Sequence, residues 1–221
     1  MQLEKMDAFF QARLDGYEAH MLNNIQDAQV FYPFTARQLP DMPGAEILDL
    51  GCGTGLELDF YFRHNPDAKV TGIDLSQGML DAFRKKHPKK ALNLICGSYF
   101  HVPLGQALYD AAVSVESLHH FTLEEKIPLY TRLYQALKPG GYFILTDFFA
   151  ASEAEEQALR AQLEQTVAQQ GLDRNELYHF DTPLTPAHEI LALKTAGFAS
   201  VGVLGSWGAT YTLKARKGET P

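Results

Sequence analysis

The sequence predicts an α/β protein built on a mostly parallel sheet, and three observations carry that reading. Short apolar runs of strand length alternate with helical patterns along most of the chain. The first run, Ile47-Leu48-Asp49-Leu50, leads straight into Gly51-Cys52-Gly53-Thr54-Gly55 and then into a helical stretch. The last two runs are separated only by Gly205 to Gly208, a turn that permits only an antiparallel hairpin. Apolar runs bounded by turn residues suit strands covered on both faces. Glycines at alternate positions suit a turn that reaches positive φ cheaply and lets a ligand lie against the main chain. The helix that follows presents unpaired amide groups, so the turn reads as a place for a nucleotide-like ligand.

At 221 residues the chain is long enough for one well-buried core. We expect a single domain over 1–221, with a helical leader or lid over 1–43 and an α/β core over 44–221. The 27 acidic residues outnumber the 19 lysines and arginines, for a formal charge of −8. That balance argues against a large nucleic-acid footprint, which needs clustered cations. The one dense basic cluster, Arg84, Lys85, Lys86, Lys89 and Lys90, reads as a solvated helix end. Cys52 and Cys96, in apolar or glycine-flanked surroundings, suggest reduced thiols in a cytoplasmic protein. No run reaches membrane-spanning length, so no membrane association is expected. The stretch from Met1 to Phe10 is amphipathic and carries acids, unlike a signal or transit peptide.

The elements follow in order. Met6, Phe9, Phe10, Leu14, Tyr17 and Met21 recur near helical spacing and predict one amphipathic helix over Leu3 to Asn23. A second helix over Asp27 to Leu39 is expected to be interrupted at Pro33, with Pro40 and Pro43 marking a loop. Strand one (Ala45 to Leu50), a helix (Gly55 to Arg63) and strand two (Lys69 to Ile73) make the first βαβ unit, which ends in Asp74. A carboxylate there lies beside the glycine turn and can accept from both hydroxyls of a ribose, while Ser76 caps the next helix, which runs to Lys86. Strand three is Leu92 to Cys96. Strand four, Tyr109 to Val115, ends in Glu116-Ser117-Leu118-His119-His120-Phe121. Thr122 and Glu125 form a capping box for a helix that Pro128 should kink and that Lys138-Pro139-Gly140-Gly141 should end. Strand five is Tyr142 to Asp147. Ser152 opens a long helix to Gln170, suited to covering the sheet or to forming a homodimer. Residues 171–183 are irregular, Thr185-Pro186 opens a helix to Ala196, and the final strands are Ala199 to Leu204 and Ala209 to Ala215.

The glycine spacing discriminates among ligands. A dinucleotide turn has glycines at relative positions 1, 3 and 6, whereas Gly51, Gly53 and Gly55 stand at 1, 3 and 5. The Gly-Lys-Ser/Thr of an ATP-binding loop is absent. Four blocks in order, Asp49-Leu50-Gly51-Cys52-Gly53-Thr54-Gly55, Asp74-Leu75-Ser76, Leu118-His119-His120 and Leu137-Lys138-Pro139-Gly140-Gly141, resemble the class I S-adenosylmethionine-dependent methyltransferases. The resemblance implies a three-layer, Rossmann-like, seven-stranded sheet of order 3-2-1-4-5-7-6 with strand seven antiparallel. It implies S-adenosylmethionine as cofactor, S-adenosylhomocysteine as product and no metal. By the same resemblance, Asp49 would hold the methionine-end ammonium, and Gly51, Cys52, Gly53 and Gly55 would form the backbone cradle. Asp74 would bind the ribose, Leu75 or Met79 would flank the adenine, and Val115 would lie beside the methionine portion. Where the family often has an acid for the adenine amine, this chain has Ser98-Tyr99, so a neutral hydroxyl would take that part.

The sulfonium of such a donor is already a good leaving group, so the protein mainly aligns the acceptor and excludes water. His120 and Glu116 are the candidates for a base, should the acceptor need to lose a proton. His119, Asp147, Tyr17 and Tyr32 are candidates for the acceptor pocket, with Phe9, Phe10, Phe148 and Phe149 as an aromatic cover. The Asn/Asp-Pro-Pro-aromatic run of amino-methylating DNA enzymes is missing after strand four. Asp147 is followed by Phe148 rather than Asn, and no cysteine-rich cluster is present, so neither a magnesium nor a zinc site is expected. A small-molecule methyltransferase is the leading reading. A tRNA or protein methyltransferase, or a non-catalytic cofactor-binding regulatory module, are the alternatives.

Overall fold

The apolar runs become seven strands: β1 Glu46–Leu50, β2 Lys69–Asp74, β3 Ala91–Cys96, β4 Tyr109–Val115, β5 Leu137–Phe148, β6 Ser200–Trp207 and β7 Thr210–Arg216. They form one sheet of order β3-β2-β1-β4-β5-β7-β6 in this computed structural model, which describes residues 2–174 and 176–219. Met1 and Asn175, which fall within the predicted leader and link, lie outside the described residues. Neighbouring strands from β3 to β5 are parallel, and β7 is antiparallel to both β5 and β6. The expected order and the antiparallel seventh strand are both present.

Eight α-helices complete the described fold: α1 Met6–Ala12, α2 Tyr17–Asn24, α3 Ala28–Ala36, α4 Leu56–His64, α5 Gln77–Lys86, α6 Leu123–Ala136, α7 Glu153–Gln169 and α8 Pro186–Thr195. Side chains alternate across each strand, and the two faces divide accordingly. Leu48, Leu50, Phe143, Leu145 and Leu213 pack with Leu133 of α6 and Leu193 of α8. Ile47, Val70, Val113 and Ile144 pack with Phe31 of α3, Leu58 of α4 and Phe83 of α5. The result is three layers, with helices on both faces of the sheet.

Several expected boundaries differ. The single helix expected over Leu3 to Asn23 is two helices: α1 ends at Ala12, and Gly16, at φ +87°, precedes α2. Pro33 and Pro128 lie inside continuous helices and end neither α3 nor α6. The Lys138 to Gly141 run belongs to β5, which pairs from Leu137 against Tyr109 with a register shift before Ala111. β6 runs on to Trp207, with Leu204 the extra residue of a second register shift between the paired Val203 and Gly205. Leu118–His120 forms a single 3₁₀ turn that the sequence reading leaves as loop. Cys96 is exposed on the edge strand β3, whereas Cys52 is buried, and both are free thiols. The Thr122–Glu125 capping box forms in both directions, whereas Ser152 accepts from the Glu155 amide and the Glu155 carboxylate accepts from the Ala151 amide instead of completing a box. No helix among the described residues is long and apolar enough to cross a membrane.

Polar contacts fasten the leader to the sheet. Thr35 of α3 meets Thr146 of β5 at 2.5 Å, and Thr146 meets Thr212 of β7 at 2.7 Å, all three buried. Behind the other face, α6 and α8 share a charged pair: Lys126 Nζ lies 2.6 Å from Glu189 Oε2, and the Tyr130 hydroxyl donates to Glu189 Oε1. Lys126 and Glu189 are 1% and 0% exposed. Removing one member leaves an uncompensated charge in the core. Glu189→Ala should therefore lose about 3–5 kcal/mol of stability, read by urea denaturation. Combining Lys126→Met with Glu189→Leu should recover most of that loss, because a matched apolar pair removes both desolvation penalties.

Candidate active site

The strand order reverses between β1 and β4, and the site forms at the carboxyl ends of these strands, as expected at a topological switch point. After β1 the chain turns through Gly51, Gly53 and Gly55, at φ +75°, +49° and +70°. The reason for glycine differs at each position. A Cβ on Gly51 would lie 2.0 Å from Ser117 Oγ, and one on Gly55 would lie 2.5 Å from the Phe83 ring. Those two glycines admit the protein's own side chains. Only at Gly53 does the Cβ direction open outward, where it meets the Tyr17 hydroxyl at 3.8 Å.

Asp74 holds this turn in place. Its Oδ2 accepts from the Gly53 amide at 2.9 Å and its Oδ1 from the Ser76 amide at 2.8 Å. Burial raises its pKa, and the amides of Ser76, Gly53 and Leu75 oppose that rise. A carboxylate oxygen has room for a second donor, so both oxygens can still receive ribose hydroxyls. Ser76 caps α5 as expected, accepting from the Met79 amide at 3.3 Å. Gln11 of α1 lies across the same loop, its Oε1 accepting from Ser76 Oγ and the Gly78 amide, both at 3.1 Å.

Asp49 is the conspicuous buried group. It is 1% exposed, and among the described residues neither of its oxygens has a hydrogen-bond partner. Glu57 of α4, also buried, has one unpartnered oxygen of its own. Burial and then the charge of Glu57 push the Asp49 pKa well above the usual carboxylate range. Lys86 acts on Glu57, but Asp49 has no such cation beside it, and a buried acid in that position calls for a donor group or a positive charge. The ammonium of an amino acid moiety fits that demand, so the residues present suit the expected cofactor.

The remaining predicted residues divide between cradle and core. Val115 and Met79 are buried, and Leu75 is partly so. Ser98 Oγ accepts from the Phe100 amide at 3.2 Å in the turn after β3. Tyr99 is buried behind Gly51, its hydroxyl 3.3 Å from both the carbonyl and the hydroxyl of Ser117.

Beyond the glycine turn lies a cavity of about 820 Å³. Its apolar wall includes Phe9, Phe10, Met21, Ile25, Phe148 and Trp207, and its polar end holds Glu116, His119, His120 and Asp181. Tyr17 and His119 line it, while Tyr32 and Asp147, also expected to face the acceptor, are buried behind its wall. His119 Nδ1 lies 2.5 Å from Asp147 Oδ1, and its Nε2 lies 3.5 Å from Asp181 Oδ1. Burial disfavours its charge, but Asp147, Asp181 and Glu116 outweigh that and raise its pKa to about 10. His120 lies beside it with Nδ1 3.2 Å from both the Phe180 carbonyl oxygen and Asp181 Oδ1; burial and the charge of His119 lower its pKa. Glu116 has φ +49°, rare outside glycine, and burial followed by Asp147 raises its pKa to about 8. Asp181, Glu57 and Gln11 escape the sequence reading, because nothing nearby in sequence marks them; folding alone brings them here.

The leader is latched over this site. Glu18 Oε1 accepts from Thr54 Oγ1 at 2.6 Å and from Lys86 Nζ at 2.5 Å, and Lys86 also pairs with Asp59 at 2.7 Å. Lys86, expected to be simply solvated, is thus the anchor of the latch.

The Asp49 environment makes a prediction. An acid whose pKa is raised on folding binds more protons folded than unfolded, so its contribution to stability falls as pH rises above the ordinary carboxylate range. Asp49→Asn should therefore raise the thermal midpoint of the unliganded protein by about 2–4 °C near neutral pH, about the effect of 1 kcal/mol at this size. The gain should shrink towards pH 4, which a pair of thermal melts would show.

Comparisons agree with this geometry. A family model described as a methyltransferase domain matches residues 47–141. Phosphoethanolamine N-methyltransferase 3 of Arabidopsis thaliana is 36% identical over 124 residues, covering 52% of this chain and 24% of that protein. The phthiotriol/phenolphthiotriol dimycocerosates methyltransferase of Mycobacterium tuberculosis is 27% identical over 191 residues, covering 81% and 68%. The fold also matches human N-acetylserotonin methyltransferase, solved in complex with SAM, with TM-score 0.62 at 20% identity over 92% of this chain and 56% of that one. The chain spans between 24% and 41% of the curated relatives that match it at 30% identity or more. The methyltransferase-domain match over residues 47–141 and the observed sheet order agree with the resemblance to the class I S-adenosylmethionine-dependent methyltransferases.

Proposed function

We propose that the protein transfers a methyl group from S-adenosylmethionine to a small molecule held in the 820 Å³ cavity. The observation that carries this reading is the unpartnered, buried Asp49 carboxylate beside a glycine turn, next to a cavity of ligand size. When bound, the donor supplies an electrophilic methyl carbon. Asp49 takes its ammonium, Asp74 takes its ribose hydroxyls, and Gly53 leaves room for its chain. Tyr17 and the leader exclude water from above.

The acceptor is inferred from the cavity wall. One end is aromatic and aliphatic, and the other carries Glu116, His119, His120 and Asp181. This suits a molecule with an apolar body and a polar, methylatable head. Relatives named for sterols, a fatty acid and phosphoethanolamine support a small acceptor. Glu116 and His120 are the groups against which the acceptor is oriented and to which its proton passes if one must leave. An acidic chain with two free thiols fits a cytoplasmic setting.

Calorimetry tests the reading: S-adenosylmethionine and S-adenosylhomocysteine should both bind at one site, and binding of neither would overturn it. Asp74→Ala should weaken S-adenosylhomocysteine by about tenfold or more, a loss of at least ~1.4 kcal/mol. Glu18→Ala removes the latch. In stopped-flow measurements it should speed both association and dissociation of S-adenosylhomocysteine while changing the equilibrium affinity less; unaltered rates would remove the leader from the gating role.

A further inference from the structure

The acceptor end of the cavity places three metal-ligating side chains on common ground. Asp181 Oδ1 lies 3.5 Å from His119 Nε2 and 3.2 Å from His120 Nδ1, and ligand atoms of the three residues all fall within 4.8 Å of one another. Around a divalent ion bound at about 2.0–2.1 Å, tetrahedral angles put neighbouring ligand atoms about 3.3 Å apart. The two spacings to Asp181 bracket that value, and the two imidazole nitrogens lie within 4.8 Å of each other, so closing on an ion needs only side-chain adjustment.

The surroundings are those of a prepared ligand. His119 turns its other nitrogen to Asp147 at 2.5 Å. Asp147 is itself fixed, accepting from the Leu118 amide at 2.8 Å and the Phe148 amide at 3.0 Å. A carboxylate behind an imidazole sets the tautomer that leaves Nε2 free to ligate. Both histidines are 8% exposed, whereas the Asp181 side chain is 51% exposed, so an ion would enter from the cavity side.

We propose that His119, His120 and Asp181 bind one divalent transition-metal ion at the polar end of the acceptor cavity. His119 ligates through Nε2, and the ion takes the place of the proton there. His120 ligates through Nδ1, with its proton on Nε2, and gives up its 3.2 Å contact with the Phe180 carbonyl oxygen, so with the ion bound Glu116 alone takes a proton from the acceptor. Two imidazoles and one carboxylate suit zinc, manganese or iron better than magnesium or calcium, which prefer an all-oxygen shell. Three protein ligands leave a coordination position facing the cavity, where an oxygen of the acceptor can bind. The site stands on its own geometry; only its use in holding an acceptor rests on the methyl-transfer reading.

Zinc chloride titrated by calorimetry into chelator-treated, tag-free protein tests the proposal. One equivalent should bind with micromolar or tighter affinity. Asp181→Ala and His120→Ala should each weaken binding at least about tenfold, and Asp147→Asn about 10–100-fold through loss of the group that orients His119. S-adenosylhomocysteine titrated into the same preparations reports whether each variant is folded and tests the donor site separately. No saturable zinc binding by the parent protein would overturn the proposal. So would zinc binding in folded Asp181→Ala and His120→Ala that is as tight as the parent's, since the ion would then sit elsewhere.

Discussion

The Asp74 carboxylate joins the two ends that make this protein a binding fold. One oxygen fixes Gly53 at the end of β1, and the other fixes Ser76 at the entry to α5. Gln11 then closes on Ser76 and Gly78, so the leader helix reads its position from the same loop. The clamp adds to what already holds the turn: the Gly51 and Cys52 amides donate to the Ile73 carbonyl, and Cys52 and Thr54 are buried. The turn, the second strand and the lid are therefore coupled through one buried acid.

Buried charge is handled in three ways, and the differences locate function. Glu189 is paired with Lys126 and Tyr130 away from the strand ends, and it serves packing between α6 and α8. Asp147 is satisfied by two backbone amides and His119, which makes it a support for groups that face the cavity. Asp49 has no basic or amide donor among the described residues; the group beside it is another buried acid, Glu57. A fold does not keep an unsatisfied buried carboxylate for stability, because the desolvation cost is not recovered.

Much of the framework was legible in local sequence. The alternating runs, the glycine turn, the caps at Thr122, Ser152 and Ser76, and the short final turn all act over a few residues, so their physics is visible there. The errors share a cause as well. Pro33, expected to interrupt its helix, sits inside a continuous α3 whose Phe31, Tyr32 and Thr35 are buried. The Lys138–Gly141 run is recruited into β5 because Tyr109 offers Leu137 a partner in the sheet. Gly16, read as part of one long helix, instead lies between α1 and α2, just ahead of Tyr17.

The sequence by itself determined the class of fold, the strand order through family resemblance, and the nearness of the glycine turn to Asp74, since the Asp49-to-Gly55 turn and Asp74 belong to one βαβ unit. Tertiary structure alone decided the acceptor side. Asp181 comes from the link before α8, Trp207 and Thr210 from the last hairpin, and Phe9, Phe10 and Tyr17 from the leader, and all meet around His119 and His120. These segments are distant in sequence, so neither periodicity nor motif spacing relates them. Their distances are set only when the sheet closes and the leader docks, which is why Glu57 and Lys86, read as ordinary helix residues, take their places beside Asp49 and Glu18 in the folded chain.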